Sequence, residues 1–318
     1  MKYTRRNLGK MVAAVVPAVS VLTPRWMSAT VNSKINGVQI GTITYSFKQD
    51  VHKPDDIIPD LVKIGLSSVE LMSDDGERMA GAPAIRNFGF GVRLNPEQQA
   101  AVDEDRRLRT EWRAKITPAA FENVRQMFDH SGISLRILCY NMSADIADEE
   151  IDHAFRMAQA LQVAAISSTS TVAVARRVAP FANKYKIVWG GHNHAEVNNP
   201  NEFASTESLE LVLSLSRYFG VNLDIGHYTA ANLDAVAFIQ RHHDRITNLH
   251  LKDRKRNNGP NVPWGQGDTP IREVLQLMRK EKYTFPANIE LEYPIPERSN
   301  SVMEIAQCLE YARKCLES

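Results

Sequence analysis

A single α/β domain, a (β/α)8 barrel with an insertion after its second strand, is the fold this sequence predicts, and three observations predict it. Beyond residue 37, eight short apolar runs alternate with eight longer amphipathic stretches, the order of a parallel sheet whose crossovers are helices. No G-x-G-x-x-G follows the first run, in "GTITYSFKQD", so the usual phosphate loop of a doubly wound open sheet is missing. No internal repeat or low-complexity tract breaks the alternation.

The runs that read as strands are 38–47, 67–72, 134–141, 164–169, 187–192, 220–225, 246–251 and 287–292. They are short and largely apolar, as strands buried on both faces are. The stretch "PDDIIPDLVKIG" at 54–65 carries aspartates near its start and a glycine at its end, as helix termini prefer. "TPAAFENVRQMFDHSG" at 117–132 opens with Thr117 as cap and Pro118 in the first turn, and closes at Gly132. Further helices are expected at 148–161, 173–185, 206–219, 230–241, 270–281 and 300–316. Residues 73–115 form the insertion, between the second strand and its helix. A segment leaving the C-terminal end of a barrel strand lies over the mouth of the barrel, so this one is a candidate lid.

Composition narrows the class of protein. The chain has 318 residues, 43% of them hydrophobic and 24% charged, with a net charge of +1. That describes an ordinary globular protein able to bury a full core, without the basic footprint of a nucleic-acid binder. Three cysteines without a close Cys-x-x-Cys pair support neither a disulfide framework nor a thiolate zinc site. Cys308 and Cys315, seven apart on a helical stretch, share one face and are expected to pack.

The N-terminus has the order of a signal peptide. "TRRNLGK" at 4–10 carries a twin arginine, followed by the apolar "MVAAVVPAVSVL" at 11–22 and small residues near Ala29. The apolar run is too short to span a bilayer. It resembles a twin-arginine leader, a route for already folded proteins. Residues 1–29 are therefore expected to be removed on export to the periplasm or medium, without a stable membrane anchor, and the barrel is expected over 38–316.

Four consecutive strands end in groups able to bind metal. The fifth ends "KIVWGGHNH" with His192 and His194; the sixth, "VNLDIGHY", has Asp224 at its tip and His227 three residues on. The seventh, "ITNLHLKDR", carries His250 and then Lys252; the eighth, "FPANIELEY", carries Glu290 and Glu292. Any one of these has an ordinary explanation, a histidine bonded to backbone or a carboxylate capping a helix. Four in succession on the face where barrel enzymes build their sites do not. Two neutral imidazoles and two carboxylates suit a divalent ion with positions left open for substrate oxygens.

The series "HNH … DIGH … HLKD … IELE", with "ITYSF" on the first strand and "VELM" containing Glu70 on the second, resembles the xylose isomerase-like TIM barrels, the sugar phosphate isomerases and epimerases, over about 38–316. The resemblance implies one divalent ion (manganese, magnesium, cobalt or zinc) on His192, Asp224, His250 and Glu290. It also implies that His227 contacts substrate hydroxyls. Glu70, Asn141 and Trp264, the last as an apolar platform, complete the expected substrate contacts. The ketose epimerases of this group carry a glutamate where this chain has His192. An imidazole whose lone pair is committed to a metal accepts protons poorly, so a two-carboxylate epimerisation does not transfer.

The expected chemistry begins with removal of a proton beside a carbonyl polarised by the metal. Reprotonation then isomerises or epimerises, and loss of a β-substituent is elimination. Candidate bases are Glu290, His194 and Lys252, the lysine through a pKa depressed by the dication. Isomerase or epimerase is the default; a lyase cleaving 3-keto-glycosides by elimination and rehydration is the runner-up. A non-catalytic carbohydrate-binding barrel is a third reading, disfavoured because structural sites fill their coordination sphere. A zinc-dependent hydrolase or an endonuclease stands further back. Export points to free sugars or glycosides over sugar phosphates. A homodimer and a sugar-oxidising dehydrogenase acting in the same reaction sequence are candidate partners.

Overall fold

The computed structural model describes residues 31–50, 52–86, 88 and 92–318. The leader expected at 1–29 lies outside them. Eight parallel strands close into a barrel: β1 (Val38–Ile43), β2 (Ser68–Met72), β3 (Ser134–Cys139), β4 (Ala165–Thr169), β5 (Val188–His192), β6 (Phe219–Asp224), β7 (Ile246–Leu251) and β8 (Ala287–Ile289). Each pairs with its neighbour in sequence, and β1 pairs with β8 to close the ring. One strand was not foreseen. Lys34–Ile35 folds back antiparallel on β1 through Asn36 and Gly37, both at positive φ, as a two-residue hairpin turn requires.

β1 and β8 end well before their expected bounds, and one hydroxyl explains both. After Ile43 the chain turns into a 3-10 helix, Thr44–Phe47. There Ser46 Oγ donates to Ile289 O at 3.2 Å and accepts from Leu291 N at 3.0 Å. The seam between β1 and β8 is thus finished by a side chain in place of ladder bonds, and Glu290 and Glu292 lie just beyond β8.

The helix after β6 also differs, running in two pieces, Ile225–Ala230 and Ala235–His242. Asp224 caps the first and Asp234 the second, with Asn232 at φ +63° between them. Thr117 stands in extended backbone before Pro118–His130, but its hydroxyl makes no capping bond. The remaining helices fall where the pattern placed them, although Thr206–Leu215 stops short. The three cysteines are free and buried.

The main apolar core lies between the strands and the surrounding helices. The barrel interior, by contrast, is polar. Glu70 Oε2 accepts from Asn248 Nδ2 and Asn288 Nδ2, each at 2.8 Å, and Ser167 donates to its other oxygen. Among the described residues no helix is long and apolar enough to cross a membrane.

The insertion contains two helices, Ser73–Met79 and Pro96–Lys115. Buried Glu77 bolts them together: Arg109 Nη1 donates to Oε2 at 2.6 Å, and Arg113 Nε to Oε1 at 2.7 Å. His153, on the helix Asp148–Ala160, reaches Glu77 Oε1 at 2.9 Å. This half of the expected lid is therefore fixed to the barrel wall by charge.

Candidate metal centre and active site

The last four strands each deliver one side chain to the C-terminal mouth. His192 ends β5, Asp224 ends β6, His250 lies one residue before the end of β7, and Glu290 follows β8 directly. Each offers one donor atom such that all four lie within 4.8 Å of one another. All four residues are buried, none more than 6% exposed.

Both ring nitrogens of His192 are shielded from solvent with no hydrogen-bond partner among the described residues; Asp224 Oδ2, His250 Nδ1 and Glu290 Oε2 are shielded too, and meet ion-pair contacts that Lys252 and one another provide. Buried polar atoms left this way are costly, so a site that gathers several is shaped for a guest that satisfies them. Two imidazoles and two carboxylates are the donor set of a divalent ion, and the residues fit one.

The other polar atoms of these ligands are committed in ways that aim the free ones. Asp224 Oδ1 accepts from His227 N at 2.7 Å, capping the short helix and leaving Oδ2 to the site. His250 Nε2 lies 2.9 Å from Glu70 Oε2, which leaves Nδ1 facing Glu290 Oε2 at 3.1 Å. Histidine ligands are commonly held by a carboxylate in this way.

Lys252 enters the same group. Its Nζ lies 3.0 Å from Asp224 Oδ2, 2.9 Å from Glu290 Oε2 and 2.5 Å from Glu292 Oε2. Gly226 makes room for it, since a Cβ there would stand 2.6 Å from Lys252 O.

Burial alone would strip the proton from Lys252, but Asp224, Glu290 and Glu292 outweigh burial and hold its pKa well above the ordinary lysine value. Burial pushes the Glu290 carboxyl up, and His250 and Lys252 more than reverse it, leaving it well below the usual range. Glu292 goes the other way: burial raises it, Lys252 lowers it, and repulsion from Glu290 helps leave it raised. Burial, with Lys252 beside it, holds His227 well below its usual value. His194 is lowered by burial and by His192.

The other expected contacts are scattered. His194 stands at the mouth, its ring centroid 5.0 Å from that of His192 and 5.2 Å from that of His227, with Glu202 Oε2 3.4 Å from its Nδ1. His227 lies within reach of the centre, its Nε2 3.1 Å from Lys252 Nζ. Glu70 is fully buried with protein donors around both oxygens. Its place is beneath His250 and away from the open mouth, which corrects its assignment to substrate. Asn141 ties the ends of β3 and β4, its Oδ1 accepting from Thr169 N at 2.9 Å. Trp264 packs edge-on against Tyr311 of the C-terminal helix at 5.8 Å. The cleft it lines contains none of His192, Asp224, His250 and Glu290, so the sugar platform expected of it is not at this centre. Glu292, noticed only as a neighbour of Glu290, is the site residue the sequence reading undervalued. Its spacing of two from a ligand was the available signal.

A family model described as the xylose isomerase-like TIM barrel matches residues 98–315. A sugar phosphate isomerase/epimerase from Parabacteroides distasonis ATCC 8503 superposes with a TM-score of 0.58 at 16% identity, covering 95% of this chain and 100% of that one. The probable 3-DHS dehydratase AsbF from Bacillus anthracis, involved in petrobactin synthesis, gives 0.60 at 14% identity, with 88% and 99% covered. The IolI protein with a binding zinc atom gives 0.57 at 12% identity, with 88% and 96% covered. These likenesses are of fold. No curated protein matches the chain significantly.

Proposed function

The chain belongs to the xylose isomerase-like TIM barrel family, and from that premise we propose that it is a divalent-metal-dependent enzyme that moves a proton beside a sugar carbonyl. One observation carries the proposal. Four buried side chains from four consecutive strand ends bring one donor atom each within 4.8 Å of one another, and both ring nitrogens of His192 lack a hydrogen-bond partner among the described residues. A divalent ion held by His192, Asp224, His250 and Glu290 would supply Lewis acidity to a carbonyl and its neighbouring hydroxyl.

The chain's own groups divide the remaining work. Lys252, whose three N–H donors face carboxylate oxygens of Asp224, Glu290 and Glu292 within 3.0 Å of Nζ, holds those carboxylates in place. Glu292, partly exposed and held at its inner oxygen by Lys252, stands at the β8 side as a proton-transfer group. His194, backed by Glu202, offers a second such group from β5. Glu290 is committed between His250 and Lys252 and serves as ligand first. Two proton-transfer groups on different strands support isomerisation or epimerisation.

Elimination is the second reading, and His192 favours it. The strand-five position lacks the carboxylate on which a two-carboxylate epimerisation depends, and elimination needs only one base and one acid. The substrate under either reading is a free sugar or a glycoside, and the twin arginine at Arg5 and Arg6 supports export to the periplasm.

Metal-loaded protein in deuterated buffer, with a panel of free sugars and 3-keto-glycosides followed by NMR, tests these readings. Deuterium entering beside the carbonyl with the glycosidic bond intact is the expected result. Release of an aglycone moves the assignment to the lyase. No exchange with any sugar under any of the four metals overturns both.

A further inference from the structure

We propose that a cavity beside the metal centre, bounded by Tyr45, Lys48, Gln49, Asn261, Leu291 and Glu292, receives a second, neutral pyranose ring, so that the preferred ligand is a glycoside and not a monosaccharide or a sugar phosphate. The inference rests on the metal-dependent sugar reading above and extends it outward by one subsite. The cavity measures about 310 Å3, at the small end for ligand sites and suited to a single ring.

Its position follows from a short chain of contacts. Glu292 lines the cavity, and its Oε2 is 2.5 Å from Lys252 Nζ, which in turn lies within 3.0 Å of Asp224 and Glu290. A molecule with one ring at the metal centre would therefore meet this cavity across Glu292. The lining suits a sugar. Tyr45, in the 3-10 turn after β1, leaves 37% of its surface exposed; Lys48 Nζ lies over its ring at 5.8 Å from the centroid, and the other face of such a ring suits the C–H face of a pyranose.

Asn261 adds a directional contact. Its Nδ2 donates to Glu292 Oε2 at 3.3 Å, while Oδ1 is buried with no hydrogen-bond partner among the described residues. An acceptor left in that state calls for a donor such as a sugar hydroxyl. Gln49 Nε2 is committed to Leu291 O and Tyr293 O at 3.2 and 3.1 Å, which fixes that wall. Charge disfavours a phosphate: among the described residues lining the cavity, Lys48 is the one cation and Glu292 the one anion, whereas phosphate recognition assembles several cationic or backbone donors.

The test is calorimetric titration of the metal-loaded protein with glucose, galactose and mannose and with α- and β-linked disaccharides built on each. At least one disaccharide should bind about tenfold more tightly than its own monosaccharide, the size expected of one aromatic face and one hydrogen bond. Tyr45→Ala and Asn261→Ala should each bring that disaccharide down toward its monosaccharide, while Tyr45→Phe keeps the ring and retains the gain. The subsite is refuted if no disaccharide exceeds its monosaccharide by twofold, or if the gain survives both alanine variants. Absence of any sugar binding would remove the sugar reading itself and the subsite with it.

Discussion

Replacing Glu70 by glutamine should weaken metal binding while leaving the fold nearly as stable as before. Glu70 Oε2 receives Asn248 and Asn288 at 2.8 Å and lies 2.9 Å from His250 Nε2; Ser167 binds the other oxygen. A glutamine can turn its oxygen to the three donors and its NH2 toward Ser167, whose hydroxyl can also accept. What it removes is the negative charge behind His250.

The two consequences differ in size. Each bond to Oε2 weakens on changing from a charged to a neutral acceptor, by roughly 1 kcal/mol, but the cost of burying a carboxylate disappears with it. Those effects oppose one another, and the melting temperature should fall by no more than about 5 °C. The metal has no such offset. Loss of the group that orients and polarises a histidine ligand typically costs about 10–100-fold in metal affinity. Chelator-competition titrations with manganese and zinc, alongside thermal melts with and without metal, separate the two quantities. An unchanged metal affinity in folded Glu70→Gln would refute the role assigned to Glu70, and would weaken the placement of the ion on His250 Nδ1.

Three other outcomes are expected. Lys252→Met leaves Asp224, Glu290 and Glu292 facing one another without their shared cation, so the variant should lose roughly 3–5 kcal/mol without metal. Added divalent metal should then raise its melting temperature more than it raises the wild type's; an equal rise would contradict the shared site. Burial raises the Glu77 pKa, but His153 and Arg113 outweigh it and bring it to about 2, below its value of 4.5 in an unfolded chain. Its contribution, on the order of 3 kcal/mol, is therefore present above pH 4.5 and lost as the pH falls through about 2. Urea titrations at pH 5 and pH 3 should show that decline in the wild type and a shallower one in Glu77→Gln; parallel declines would count against it. Changing Arg5 and Arg6 together to lysine should retain the full-length chain in the cytoplasm, as fractionation and N-terminal sequencing would report, and unimpaired export would remove the twin-arginine assignment.

The barrel was legible because its strands are uniform, buried and separated by capped helices, so apolar runs and turn residues carried the pattern. The convergence of four side chains was legible for a related reason: His192, Asp224, His250 and Glu290 each lie within one residue of a strand's C-terminal end, and consecutive strands of a parallel barrel stand side by side. The failures came where tertiary contacts decide. The ends of β1 and β8 depend on Ser46 bridging Ile289 and Leu291, a contact between residues more than two hundred positions apart. Glu70 read as a substrate group because its partners Asn248, Asn288 and His250 come from strands far along the chain. The ion pairs of Lys252 were equally hidden, since its three carboxylates converge only once β6, β7 and β8 stand side by side.

The charge of the centre bears on why a histidine occupies position 192. Asp224, Glu290 and Glu292 surround one ammonium, and Glu70 presses a fourth carboxylate against His250. Negative charge already exceeds the single cation that answers it. A divalent ion is attracted by that excess and largely neutralises it. A carboxylate at 192 in place of the neutral imidazole would add another negative charge to a buried group, at a desolvation cost that the same ion would have to offset. With histidine there, the loaded centre remains close to neutral or slightly negative. An imidazole at 192 thus leaves the ion one fewer buried negative charge to offset.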